Sequence, residues 1–158
     1  MSLTEISEAP PLDVERWFNT DDPPTLARLR GKVVVLHAFQ MLCPGCVTHA
    51  LPQAKRLHEI ARHLDGLVVL GLHSVFEHHA AMTPVALEAF LHEYRIAFPV
   101  AVDRPSPDGP IPHTMAAYGL RGTPSTIIVD RAGRIARHSF GAEDDLVLGL
   151  TLGSLLRG

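Results

Sequence analysis

The sequence predicts an α/β fold with a mixed β-sheet that helices cover on both faces. Short apolar runs rich in β-branched residues alternate along the chain with segments of helical apolar spacing, and a tight turn joins the last two runs. Strands separated by helices are expected to lie parallel to one another, whereas two strands joined by a tight turn must be antiparallel.

The predicted elements follow in the order β-α-β-α-β, then a hairpin and a final helix. In numbers, these are a short helical turn at 25–30, strands at 33–39, 67–75 and 98–102, helices at 43–64, 83–94 and 113–118, a hairpin around the turn 130–133, and a helix at 143–156. Pro44 suits the first position of its helix because its missing N–H would have no partner there. Gly133 supplies the positive φ that the hairpin turn needs, and Asp144 and Asp145 lie at the positive end of the last helix.

Composition and charge narrow the functional classes. The 158 residues are 46% apolar and 20% charged, and a net charge of −3 gives no reason to expect nucleic acid or an anionic membrane as a partner. No apolar run approaches the roughly 18–20 residues of a membrane span. The proline-rich, acidic segment 1–24 is predicted to be an extended lead-in that Trp17 and Phe18 attach to the core, and residues 25–158 are predicted to form one domain.

The start of the chain has no basic segment followed by an apolar one, so a cytoplasmic location is predicted. Its first three residues, Met-Ser-Leu, are compatible with a remnant of cloning. Thiols of cytoplasmic proteins are kept reduced, so a single pair of cysteines there is expected to be catalytic or metal-binding rather than a structural staple.

The only two cysteines, Cys43 and Cys46, follow directly on the strand 33–39. Backbone N–H groups without a partner, and the positive end of the helix dipole, face a side chain at a helix start. Such a position favours the thiolate, which is the reactive form, so Cys43 is predicted to be the nucleophile. Cys46 is predicted to be more buried and to attack the mixed disulfide that Cys43 forms. An inert pair and a zinc site remain alternatives, the latter with His49 or His73 as further ligands.

Several segments together carry a family resemblance. They are the strand GKVVVLHAF, the sequence Cys43-Pro44-Gly45-Cys46, Pro52 within the following helix, the segment GLHSVF, and Gly122-Thr123-Pro124 followed by STIIVDRAGRI. On these segments, within about residues 30–141, the chain resembles the thioredoxin-fold thiol–disulfide oxidoreductases of the TlpA/redoxin (AhpC/TSA-like) family. It is also similar to the thioredoxin-like domains of DipZ-type and NHL-repeat proteins.

The resemblance implies a thioredoxin fold in which the helix–strand unit 83–102 is the TlpA/redoxin-type insertion. It implies that Pro124 is a cis-proline facing the sulfurs and that backbone groups of Thr123 pair with a substrate chain. The implied activity is exchange between the Cys43–Cys46 dithiol and protein or small-molecule disulfides, with a thiol as electron donor and no cofactor or metal. The apolar last helix leaves room for a contact between two copies of the chain.

The chain departs from the family's usual pattern at several positions. Leu42 precedes the first cysteine where thioredoxins usually carry tryptophan, and Pro52 follows Cys46 by six positions rather than five. His37 stands where many thioredoxins place a buried acid, and it is expected either to move the proton of Cys46 or to be a neutral core residue with one hydrogen bond. His49 stands where TlpA-type reductases often carry a glutamate, which suggests proton handling there as well.

Two other functions compete with disulfide exchange. Pro44-Gly45-Cys46 resembles the PGC sequence of one peroxiredoxin subgroup, but that subgroup has threonine where this chain has Cys43. The more general peroxiredoxin pattern expects threonine at Gln40 and proline at Leu36. A non-enzymatic module that senses redox state or binds metal is the third hypothesis, since a fold alone does not determine function. His73, with His78 and His79, fits rim and surface positions better than a metal site.

Overall fold

All the strands belong to one mixed β-sheet in the computed structural model, which describes residues 7–158. The strands are β1 (Val14–Phe18), β2 (Val33–Phe39), β3 (Leu67–His73), β4 (Val100–Asp103), β5 (Ser125–Val129) and β6 (Ile135–Phe140). They are arranged in the order β1-β4-β3-β2-β5-β6. The four α-helices are α1 (Leu51–Ala61), α2 (Pro84–Glu93), α3 (His113–Ala117) and α4 (Asp145–Leu156).

Strand directions agree with the prediction. The central strands β2, β3 and β4 are parallel, because a helix connects each to the next, and β5 and β6 form an antiparallel hairpin that joins the sheet beside β2. The helix–strand unit predicted at 83–102 is α2 and β4, and β4 extends the sheet beyond β3. The mixed sheet and its thioredoxin topology are therefore confirmed.

The predicted lead-in contains a strand that the sequence did not indicate. Residues Val14–Phe18 pair antiparallel with β4 and form one edge of the sheet, with a register shift between Val14 and Arg16. Trp17 packs against one side of the core and Phe18 against the other, as expected for residues that attach this segment. The first three residues, suggested as a cloning remnant, lie outside the described part of the chain.

Strand β2 is buried along its whole length and divides the core into two layers. Val33, Val35 and Phe39 face one layer, which also contains Cys46 and residues of α1, α2 and α4. Side chains of a strand alternate between its two faces, so His37 points into this same layer, whereas Val34, Leu36 and Ala38 belong to the opposite one. The sheet thus places an imidazole on the side of the buried cysteine.

The additional residue between Cys46 and Pro52 is accommodated by a π turn. The helix begins at Pro44, widens to π geometry over Cys46–Ala50, and continues as α1 from Leu51. The Leu51 N–H donates to the carbonyl oxygen of Cys46, five residues earlier, and Pro52, which has no N–H to donate, follows directly on this widened turn. A change of helix type therefore lies directly before Pro52, where a kink was expected.

The last helix keeps much of its apolar surface in contact with solvent. Asp144 caps it by accepting hydrogen bonds from the N–H groups of Leu146 and Val147. Leu148 and Leu152 are buried, whereas the side chains of Leu146 and Leu150 are 77% and 78% exposed. A contact between two copies of the chain through this face stays a prediction. Within residues 7–158, no helix combines the length and apolarity needed to cross a membrane.

Gly71 gives a test of how tightly the sheet packs around the site. It pairs with His37 on one side and Val100 on the other, and a Cβ added there would lie 3.0 Å from side-chain atoms of Phe98 and Val100. We expect Gly71→Ala to lower the free energy of unfolding by about 1–3 kcal/mol, because the surrounding core has no room to relax. Gly153→Ala is the matched control: nothing lies within 4 Å of a Cβ there, so this exposed helical position should gain stability. Urea unfolding measures both, and equal effects of the two substitutions would contradict the packing argument.

Candidate active site

Cys43 and Cys46 form a disulfide at the junction between β2 and the helix that begins at Pro44. The two Cα atoms are 5.2 Å apart. The pair follows the carboxyl end of β2, and it therefore lies at the edge of the sheet where the parallel strands β3 and β4 also have their carboxyl ends. Ligands of open α/β sheets bind at this edge, so the topology places the pair where a substrate can reach it.

The two sulfurs lie in different environments. Cys43 is half-buried, whereas Cys46 is completely buried in the apolar layer beneath β2. The N–H of Cys46 donates a hydrogen bond of 3.3 Å to the sulfur of Cys43, and the carbonyl of Cys43 accepts from the N–H groups of Cys46 and Val47. A donor aimed at Cys43 stabilises its thiolate, while burial in apolar surroundings favours the neutral thiol of Cys46. This asymmetry fits the predicted roles of nucleophile and resolving thiol.

The loop before β5 faces the pair from the other side. The peptide bond between Thr123 and Pro124 is cis, as the resemblance implied. The Thr123 carbonyl oxygen lies 3.5 Å from the sulfur of Cys43, and a Cβ added to Gly45 would lie 3.4 Å from Cδ of Pro124. The structure thus brings together six of the predicted site residues: Cys43, Pro44, Gly45, Cys46, Thr123 and Pro124.

His37 lies in the core and is without a hydrogen-bond partner among the described residues. Its side chain is 1% exposed, and both ring nitrogens are buried and unpaired. The single hydrogen bond expected for a core histidine here is therefore absent. Burial lowers the pKa of His37 to about 4, although the negative charge of Glu143 acts in the opposite direction. The imidazole is neutral at physiological pH and offers an unused lone pair in the layer that holds Cys46.

His49 is tied to the corner between β6 and α4. Its Nε2–H donates to the backbone carbonyl of Glu143 at 2.7 Å, and Nε2 of Gln53 donates to the same carbonyl at 2.8 Å. These bonds hold the π turn and α1 against the chain end rather than aiming His49 at either sulfur. Its proton-handling role stays a prediction.

Glu143 is a buried carboxylate that the sequence reasoning did not single out. Its side chain bonds to Arg137, at 2.7 Å, and to the hydroxyl of Ser139, both on β6. Burial alone would raise the pKa of Glu143, but these hydrogen bonds outweigh it and hold the pKa below its ordinary value. The structure therefore keeps a negative charge on the His37 side of the sheet, at a position with no sequence signal beyond an acid before the last helix.

Gln40, the other residue that was missed as a site residue, directly follows β2. Its side chain is 1% exposed and bonds to two separate loops, through Nε2 to the Thr123 hydroxyl and through Oε1 to the N–H of Phe76. Its backbone carbonyl also accepts from the N–H of Cys43 at 3.2 Å. The available signal was a polar residue directly after a buried strand.

His73 ends β3 at the same sheet edge but points inward. It is 1% exposed, its Nε2 accepts a hydrogen bond of 3.2 Å from the N–H of Met41, and its ring packs against Phe39. Burial lowers its pKa to about 4. Across residues 7–158, no three histidine, cysteine, aspartate or glutamate side chains are grouped so that they could hold a metal ion.

Comparisons with known proteins agree with this geometry. A solved thiol-disulfide isomerase from Corynebacterium glutamicum is 55% identical, with a TM-score of 0.87 over 95% of this chain and 97% of that one. The thiol-disulfide oxidoreductase ResA of Halalkalibacterium halodurans is 24% identical over 123 residues, which are 77% of this chain and 62% of ResA. NHL repeat-containing protein 2 of Gallus gallus is 36% identical over 90 residues, 56% of this chain, and the match spans 12% of that much longer protein.

The fold and the site together define a thioredoxin-like protein with a redox-active CxxC pair. The model of the AhpC/TSA family matches residues 7–138, which include β1 to β5 and most of β6. The chain belongs to the AhpC/TSA family.

Proposed function

We propose that this chain is a thiol–disulfide oxidoreductase that reduces disulfides of proteins and small molecules, using Cys43 as nucleophile and Cys46 as resolving thiol. The observation that carries the proposal is the asymmetric pair, in which a half-buried Cys43 faces the Thr123 carbonyl and a buried Cys46 lies directly behind it. The similarity to a thiol-disulfide isomerase and to ResA supports the same reaction.

The reaction proceeds in two exchanges. The Cys43 thiolate attacks one sulfur of the substrate disulfide; the other sulfur leaves as a thiolate, takes up a proton, and a mixed disulfide to Cys43 remains. Cys46 then loses its proton and attacks the sulfur of Cys43, so the second substrate thiolate leaves. Two electrons have passed to the substrate, the chain carries the Cys43–Cys46 disulfide, and a thiol donor restores the dithiol.

The buried thiol of Cys46 must lose a proton in an apolar layer, and His37 is the group proposed to accept it. Its imidazole lies on the same face of β2 as the residues that pack against Cys46, and its nitrogens are free of other bonds among the described residues. A buried polar group without a partner costs stability, so its presence here favours a chemical role over a structural one. Burial lowers the pKa of His37, so the imidazolium can form only transiently, and the charge of Glu143 offsets part of that cost.

Trapping the mixed disulfide tests the proposal. The Cys46→Ser variant of this chain, reduced and mixed with a disulfide-linked peptide of known mass, is expected to retain one half of the peptide per chain, because no second thiol can release it. Mass spectrometry of the digested protein should locate the adduct on Cys43, and an added thiol should remove it. The wild-type chain should release both halves of the peptide under the same conditions.

Cys43→Ser is the matched control, since it keeps the fold and one cysteine but removes the proposed nucleophile. It should retain no peptide, because Cys46 is buried. An adduct that forms on Cys46 as rapidly as on Cys43 would overturn the assigned roles. Failure of Cys46→Ser to form any adduct would overturn the proposed function itself.

A further inference from the structure

Gln40 connects three segments that border the reactive sulfur. Its Nε2 donates to the Thr123 hydroxyl at 3.3 Å, its Oε1 accepts from the N–H of Phe76 at 3.2 Å, and its backbone carbonyl accepts from the N–H of Cys43 at 3.2 Å. The partners lie 83 and 36 residues away in the chain for the two side-chain bonds. The side chain of Gln40 therefore joins the cis-proline loop to the loop after β3, and its backbone ties both to the start of the cysteine pair.

The amide of Gln40 can adopt only one orientation in this network. Its oxygen is needed to accept from a backbone N–H, so its nitrogen must face Thr123 and donate. With its side chain held in this way, Thr123 presents its carbonyl 3.5 Å from the sulfur of Cys43. The backbone of Thr123 beyond that carbonyl is supported from the other side by neighbouring bonds, from the Ser125 hydroxyl to the Gly122 carbonyl and from the Gly141 N–H to the Pro124 carbonyl.

We infer that Gln40 is a positioning residue that selects polypeptide disulfides over small ones by holding the Thr123 backbone in place to pair with an extended substrate chain. This inference rests on the proposed function and concerns the same site. A peptide substrate gains affinity from a backbone partner beside its reacting sulfur, because those hydrogen bonds hold the bound substrate and the transition state alike and so lower KM. A small disulfide has no backbone to pair, so it depends only on the reactivity of Cys43.

The structural alternative is a buried glutamine whose hydrogen bonds merely stabilise the fold. Gln53 offers a matched comparison for this alternative. It is 4% exposed, and its Nε2 donates to the Glu143 carbonyl at 2.8 Å and to a carboxylate oxygen of Asp145 at 2.6 Å. Like Gln40, it joins distant segments, but its hydrogen bonds lead from α1 to the corner between β6 and α4 and not to the cis-proline loop.

The experiment compares Gln40→Leu and Gln53→Leu in the full chain, with a disulfide-linked peptide and an aromatic small-molecule disulfide as substrates. We expect Gln40→Leu to raise KM for the peptide roughly tenfold, the effect of losing one or two orienting hydrogen bonds, and to leave kcat/KM for the small disulfide nearly unchanged. Gln53→Leu should change neither KM for the peptide nor kcat/KM for the small disulfide. Urea unfolding should nevertheless show that it loses about as much stability as Gln40→Leu.

Thr123→Val removes the other end of the hydrogen bond and keeps the test valid if Gln40→Leu does not fold. It should reproduce the peptide-specific rise in KM, and the double variant should show no larger rise than either single one. Equal losses on both substrates, or no change for the peptide, would overturn the inference while leaving disulfide exchange intact. A wild-type chain that reduces neither substrate would overturn the proposed function and this inference with it.

Discussion

Cys43→Ser is expected to reduce disulfides no faster than the thiol donor does on its own. A serine hydroxyl cannot form a disulfide, and the remaining thiol of Cys46 is fully buried, so neither the first attack nor its reversal can take place. Steady-state reduction of a disulfide-linked peptide, followed with an excess of a thiol donor, measures this loss directly. The fold should be unaffected, since serine is close to cysteine in size.

Cys46→Ser separates the two exchanges when the reduced variant is mixed with the disulfide-linked peptide and the thiol donor is left out, because a free thiol would release the mixed disulfide. Its Cys43 can still attack, so we expect one equivalent of leaving thiol per chain in a rapid first phase and no turnover afterwards.

Peroxide consumption tests the competing hypothesis that the chain is a peroxiredoxin-like peroxidase. A chain that consumes peroxide with Cys46 alone, and continues to do so as Cys43→Ser, would be a peroxidase and not the proposed reductase. Gln40 occupies the position where the general peroxiredoxin pattern expects threonine, and its amide is already bonded to Thr123.

The central part of the fold was predictable because each of its elements carries its own local signal. Strand β2 is a continuous apolar run buried on both faces, and Thr83-Pro84 marks the start of α2, where the Thr83 hydroxyl accepts from the N–H of Ala86. Strand β1 was missed for an equally physical reason. It pairs on one side only, and its charged residues Glu15 and Arg16 are exposed, so no apolar alternation distinguishes it from a loop.

The site residues also differ in how far local sequence predicts them. The CxxC pair lies within four residues at a strand–helix junction, so its position followed from neighbours in sequence. Gln40 and Glu143 act through partners far along the chain: the bond from Gln40 to Thr123 spans 83 residues, and the bond from His49 to the Glu143 carbonyl spans 94. No local pattern encodes such pairs, because they depend on how the hairpin β5–β6 packs beside β2.

Distant contacts also determine which ionisable groups lie near the cysteine pair. The two positions where the resemblance led us to expect an acid hold His37 and His49 instead. A carboxylate nevertheless lies in this part of the core, supplied by Glu143 from the corner between β6 and α4, and it bonds to Arg137 and Ser139. Glu143 is close enough to His37 for its charge to oppose the lowering of the imidazole pKa, which is the electrostatic part of the proton-accepting role proposed for His37.

The burial of His37 and His73 predicts a loss of stability in mild acid. Burial lowers the pKa of each to about 4, whereas the ordinary value is 6.5. In the unfolded chain both imidazoles bind protons as the pH falls below 6.5, but in the folded chain they do so only near pH 4. The folded state therefore binds fewer protons in this window, and its stability, complete above pH 6.5, decreases by up to about 1.4 kcal/mol per pH unit for each histidine.

His37→Leu should remove half of this dependence. At pH 5 we expect it to exceed the wild-type chain in free energy of unfolding by about 2 kcal/mol from the proton linkage alone. His73→Gln, which keeps an acceptor for the Met41 N–H, should remove a similar share, and the double variant should depend less on pH between pH 5 and 7 than either single variant. The dependence that remains is expected from His58 and His138, whose pKa values burial also lowers. Urea unfolding at several pH values measures this, and an unchanged slope in His37→Leu would contradict the assignment. Glu143 does not contribute to this pH dependence. Its pKa is lowered in the folded chain, so its stabilising effect is lost only as the pH falls below 4.5, the ordinary pKa of a glutamate.

The same variant decides why an unpaired imidazole is kept in the core. At pH 7 His37→Leu removes two buried nitrogens that lack partners, so it should be at least as stable as the wild-type chain. If His37 accepts the proton of Cys46, the variant should form the mixed disulfide at the normal rate but release it roughly tenfold to a hundredfold more slowly. A variant that is more stable and releases the substrate equally fast would show that the imidazole has no part in the second exchange. Gain of stability together with slow release is the combination expected of a residue retained for chemistry at the expense of the fold.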